Sequence, residues 1–191
     1  MCIRDSYENV LKFLALVSDP HGLNIGMRHI SLSTCGICDK IKALADENLQ
    51  ITLSISLHAP DDATRSNIMP VNRRFGVEEL LSACRYYFKK TSRRISFEYT
   101  MIRGVSDTRE CAERLARLLT GFPCHVNLIP LNRVSERNLL PSTRAAIMSF
   151  SEMLTRAGLC VTVRRSLGAD IDAACGQLRR KVTETCLLYT S

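Results

Sequence analysis

The sequence predicts an α/β fold on a parallel sheet, and three observations predict it. Short segments rich in β-branched and apolar residues recur along the chain, helix-period segments separate them, and polar residues collect at their C-terminal ends. The strand segments are 29–34, 51–57, 95–102 and 125–131, with a fifth, 160–165, after Gly158. Helical periodicity runs over 7–17, 77–89, 108–120 and 142–157. The last of these opens on Pro141, Ser142 and Thr143, which offers a capping hydroxyl, and a further helix opens at Cys38. Alternation of this kind calls for right-handed crossovers, hence an open α/β sheet or part of a (β/α) barrel. Active sites in that class gather at the C-terminal strand ends. Here those ends carry Ser33 and Thr34, then Ser56 and His58, then Glu98, then Asn127 with Pro130.

A chain of 191 residues with 46% apolar content can bury one ordinary core. Lys and Arg number 26 against 19 Asp and Glu, and the net charge of +7 favours a polyanionic partner. No apolar run reaches the roughly 18 residues of a membrane helix. Residues 1–6 are too short and polar for a signal peptide, so a cytoplasmic location is expected. Nine cysteines, odd in number and scattered (Cys84, Cys111 and Cys160 among them), read as reduced thiols buried as small hydrophobes. Residues 1–6 and 182–191 lack clear periodicity and read as foreign or frayed ends around a core of 7–181.

The sharpest chemical segment is GADIDAACGQL (168–178), where a glycine-containing loop after a strand presents Cys175 immediately before Gly176. A thiol so placed is accessible, whereas a cysteine considered alone is more often inert and buried. Taken in order with SLSTCG (31–36), SISLHAP (54–60), FEYTMI (97–102) and HVNLIPLN (125–132), this segment resembles the C-terminal half of the RlmN/Cfr-type radical SAM adenine methyltransferases. The resemblance runs from about Tyr7 to Arg180.

The resemblance implies a radical-SAM partial (β/α) barrel, truncated at its N-terminus, and two S-adenosylmethionine molecules per turnover. One methylates a cysteine, and the other is cleaved at a [4Fe–4S] cluster to a radical that activates the methylated cysteine for attack on adenine. It carries the methyl-accepting role onto Cys175 and cofactor binding onto Ser33, Ser56, Leu57, His58 and Asn127. It further implies methylation of adenine C2 in 23S rRNA, transfer RNA as a second candidate substrate, and a monomer at full length. Methylation at C8 is the alternative product.

The family's upstream C-x3-C-x2-C cluster motif and Gly-Glu-Pro segment are not in this sequence. This chain alone is therefore expected neither to assemble a cluster nor to methylate RNA, and no metal ligand is assigned to it. Cys35-Gly-Ile-Cys38 resembles a redox or zinc half-site, but no second pair completes a zinc set, and a structural role is favoured. Basic pairs at 73–74, 89–90, 93–94, 164–165 and the run 179–181 could meet phosphates, with Arg164 and Arg165 best placed for RNA. Two other classes stay open: a non-catalytic RNA-binding α/β module, and a thiol oxidoreductase using Cys35 and Cys38.

Overall fold

The computed structural model of the chain describes residues 7–132 and 139–165. Helix α1 (Tyr7–Ser18) leads through a 3-10 turn (Met27–His29) into β1 (Ser31–Thr34) and α2 (Cys38–Asp46). Strand β2 (Thr52–Ser56), the short α3 (Asp62–Ile68), a second 3-10 turn (Pro70–Arg73) and α4 (Val77–Thr91) follow. Then come β3 (Ile95–Met101), α5 (Arg109–Leu119), β4 (Cys124–Pro130), α6 (Arg144–Arg156) and β5 (Cys160–Val163).

The five strands form one sheet in the order β1-β2-β3-β4-β5, with every neighbouring pair parallel. When each strand adds on the same side of the last and crossovers keep one hand, the helices collect on one face. That is the build of a barrel arc, whereas a doubly wound sheet reverses direction and covers both faces. Among the described residues the sheet is open, so the expected partial barrel is met as an arc.

Burial follows the strand period of two. On β3, Ile95, Phe97, Tyr99 and Met101 are fully buried against the helices, while Ser96, Glu98 and Thr100 are half-buried on the other face. Cys124, Val126 and Leu128 continue the apolar face on β4. Leu80, Leu81, Cys84 and Tyr87 of α4, Cys111, Ala112, Leu115 and Leu119 of α5, and Ile147, Phe150 and Leu154 of α6 pack into the same core. The Tyr99 and Phe150 rings meet at 5.3 Å between centroids.

Local chemistry sets the helix ends. Thr108 and Thr143 accept from the amides of Cys111 and Ala146. Asp61 accepts from that of Thr64. Helix α4 starts at Gly76, which has no side chain to cap it, and the carboxylate of Asp62 takes the part by accepting from the Val77 amide at 2.7 Å.

Some expectations shift. Residues 29 and 30 precede β1 because Met27–His29 closes a 3-10 turn. Strand β5 ends at Val163 and lies at the sheet edge, which leaves Cys160 exposed where a buried thiol was expected. Cys84 and Cys111 are buried as expected.

Candidate functional site on the open face of the sheet

The face away from the helices is polar, and strand register arranges it in rows. Ser33 stands beside Ser54, Ser54 beside Ser96, and Ser96 beside His125. Two residues further along, Ser56, Glu98, Asn127 and Thr162 form a second row. Thr100 of β3 is two residues beyond Glu98, and His58 reaches it from the turn after β2. Ser33, Ser56, His58 and Asn127 are thus brought to one face, toward the C-terminal strand ends.

Leu57 is not brought there. Its side chain is fully buried in the core. Its amide donates to the Glu98 carbonyl and its own carbonyl accepts from Arg65. Cys175 lies outside the described residues.

His58 has a left-handed backbone, φ +60°, a conformation that costs energy in a residue other than glycine and is often kept at functional turns. Its Nδ1 lies 3.2 Å from the Thr100 amide and 3.0 Å from the Thr100 hydroxyl. A main-chain N–H can only donate, so Nδ1 accepts and the proton of the neutral ring sits on Nε2. Burial first, and the Arg65 charge second, lower the imidazole pKa to about 4. At neutral pH His58 therefore offers one fixed N–H donor.

Arg65, on α3, is completely buried and spends all five of its N–H groups. Nε donates to the Leu57 carbonyl at 3.0 Å, and Nη2 to those of Cys35 at 2.8 Å and Ser56 at 3.1 Å. Nη1 donates to Asn72 Oδ1 at 2.8 Å and to the Phe75 carbonyl at 3.4 Å. Asn72 Nδ2 donates in turn to Asp62 Oδ1 at 3.0 Å. One guanidinium thus ties the ends of β1 and β2 together, below the turn that carries His58. Gly36 fits this knot closely: its φ is +99°, and a Cβ there would come within 2.9 Å of Leu80 and 3.2 Å of Arg65 Nη2.

Sequence reading passed over Arg65, Thr100 and His125. Most of their partners lie far off in the chain, and an Arg in a polar stretch looks like solvated surface until the fold brings carbonyls to it. The Cys35/Cys38 pair gains little from the structure as a redox site. Cys38 is fully buried, its thiol points to the Gly36 carbonyl, and burial pushes its pKa up to about 11, which suppresses the reactive thiolate.

A cavity of about 320 Å³ sits elsewhere, between α5 and α6, beside Asp107, Arg109, Phe150 and Arg156. It belongs to the helical layer and touches none of the polar rows. Among the described residues no three His, Cys, Asp or Glu side chains gather to hold a metal ion, so they do not supply the ligands of a cluster. The open face does suit a cofactor rich in hydroxyl, amine and ring-nitrogen groups, since hydroxyl, imidazole N–H and amide groups stand on it together. Among the described residues no helix is long and apolar enough to cross a membrane.

No family model matches the chain. It is 54% identical over 177 residues to a probable dual-specificity RNA methyltransferase RlmN of Thermoanaerobacter sp., covering 93% of this chain and 52% of that protein. A Clostridium novyi protein of the same name is 53% identical over 176 residues, covering 92% and 51%. The crystal structure of a radical SAM methyltransferase from Sphaerobacter thermophilus superposes with a TM-score of 0.88 at 44% identity, covering 92% of this chain and 51% of that one. A domain of pyruvate-formate lyase-activating enzyme from Bacteroides vulgatus shares the fold at 16% identity and a TM-score of 0.63, covering 83% and 91%. The chain spans about half the length of the curated relatives it matches. Over the half of their length that it spans, the chain is similar in sequence to RlmN-type RNA methyltransferases and in fold to a radical SAM methyltransferase.

Proposed function

We propose that the open face binds S-adenosylmethionine and that the chain serves an enzyme that methylates C2 of an adenine in 23S rRNA, with transfer RNA as a second substrate, through a methylated Cys175. The observation that carries the reading is the placement of Ser33, Ser56, His58 and Asn127 on one face at the C-terminal ends of parallel strands.

Once bound, S-adenosylmethionine supplies the methyl group and the source of the radical. The chain's own residues bind and orient. Ser33 and Ser56 offer hydroxyls that donate or accept, His58 donates from Nε2, and Asn127 presents an amide. Arg65 keeps the β1 and β2 ends at fixed separation, so that these groups face the ligand without reorganising. Exposed Arg164 and Arg165, just after β5, are suited to hold RNA phosphates beside that face. Leu57 serves by filling the core beneath the turn, and a cytoplasmic monomer fits this role.

The test joins this chain to the half of its relatives' length that it does not span and analyses 23S rRNA by mass spectrometry in cells lacking their own enzyme. The expected product is 2-methyladenosine, lost in Cys175→Ala. Formation of 8-methyladenosine would correct the position, and full product from Cys175→Ala would overturn the cysteine route. RNA binding with no methylation would favour a binding module.

A further inference from the structure

Five side chains on β3, β4 and β5 close a hydrogen-bonded ring on the open face. Ser96 donates to Glu98 Oε1 at 3.2 Å, and its oxygen stands 3.3 Å from His125 Nδ1. His125 Nε2 is 3.1 Å from Thr162 Oγ1, which is 3.3 Å from Asn127 Oδ1. Asn127 Nδ2 donates to Glu98 Oε2 at 2.7 Å and completes the circuit.

The hydrogens in this ring can be counted. A carboxylate only accepts, so both of its neighbours must donate to it. Asn127 cannot turn over, because its carbonyl oxygen would then face a carboxylate oxygen at 2.7 Å. Ser96 spends its one hydrogen on Glu98, and its oxygen can only accept from His125, which places the imidazole proton on Nδ1. A neutral imidazole then has a bare Nε2, which shares the one hydrogen of Thr162 with the Asn127 carbonyl oxygen, and that oxygen, with two lone pairs, keeps an acceptor site for a ligand. Partial burial and Arg94 favour the neutral ring, with Glu98 opposing them; Cys160 is the register neighbour on β5.

We propose that Glu98, Ser96, His125 and Thr162 are positioning residues that lock the Asn127 amide in one orientation, with His125 held as the Nδ1–H tautomer, so that the Asn127 carbonyl oxygen accepts from an amine or hydroxyl of a nucleoside-type ligand. The ligand half of this statement rests on the cofactor reading of the open face; the ring and its tautomer do not.

Nitrogen-15 NMR of the histidine side chains of this chain at neutral pH tests it. His125 is expected with Nδ1 protonated and Nε2 bare, the opposite of His58 and distinct from the exposed His21 and His29. Glu98→Ala frees the Ser96 hydrogen to donate to Nδ1, and the His125 preference should collapse. Binding of S-adenosylmethionine should weaken about tenfold, the loss of one charge-assisted constraint. Should that variant not fold, Ser96→Ala removes the acceptor for Nδ1–H and should abolish the preference equally. A wild-type His125 protonated on Nε2, or a preference that survives both substitutions, overturns the ring. The expected tautomer in a protein that does not bind S-adenosylmethionine overturns the ligand half and separates that failure from failure of the ring.

Discussion

Replacing Arg65 should unfasten the site before it touches any ligand group. Arg65→Met keeps much of the side chain's length but removes five donors, and the carbonyls of Cys35, Ser56, Leu57 and Phe75 and Asn72 Oδ1 lose a partner. Each buried acceptor left unsatisfied costs roughly 1–3 kcal/mol, while relief of the guanidinium's own desolvation offsets part of the total. A net loss of about 3–5 kcal/mol is expected, as for other buried charged networks cut on one side. Arg65→Lys retains the charge and three donors on a flexible stem, so it should lose about 2–3 kcal/mol. A domain of ordinary stability holds about 5–15 kcal/mol, so both variants should remain measurable unless this one is marginal. Urea unfolding followed by circular dichroism is the assay, since the chain has no Trp to report by fluorescence. Amide shifts should move most at Cys35, Ser56, Leu57 and His58. A loss below about 1 kcal/mol in both variants would refute the reasoning, because five buried bonds could not then depend on this side chain.

His58 should titrate near pH 4, below its ordinary 6.5, when its ring protons are followed by NMR. The unfolded chain binds this proton more readily than the folded one, so the stabilisation is fully present above 6.5. It fades as pH falls from 6.5 toward 4, by up to about 3 kcal/mol from this group. A His58 midpoint at or above 6.5 would contradict the Thr100 contact. Gly36→Ala should destabilise by roughly 1–3 kcal/mol, because its Cβ crowds Leu80 and the backbone keeps a φ of +99°. An unchanged urea midpoint would show that the β1 end has slack beside Arg65.

The frame was legible because its signals are local. The alternating apolar residues of 95–101 and the runs around β2 and β4 mark parallel strands without reference to anything distant, and Thr108 and Thr143 sit where a cap is needed. Residues such as Ser56 and Asn127 were legible as strand-end polar groups. What holds them was not: Asn127 depends on Glu98, 29 residues earlier, and the turn at His58 on Thr100, 42 residues later. No periodicity records such pairings. Helix α3 is similarly hidden, since its Asp62–Ile68 run is mostly polar and buries mainly Arg65. Leu57 lies inside a cofactor-like run, and its side chain belongs to the core.

The central claim is that the open face holds S-adenosylmethionine, and amide-shift mapping of this chain during titration with that compound tests it most directly. The account predicts saturable shifts centred on Ser33, Ser56, His58, Glu98 and Asn127, with the helical layer unmoved. Shifts centred instead on Asp107, Arg109 and Arg156 around the α5–α6 cavity, or no shifts at saturating concentration, would contradict it.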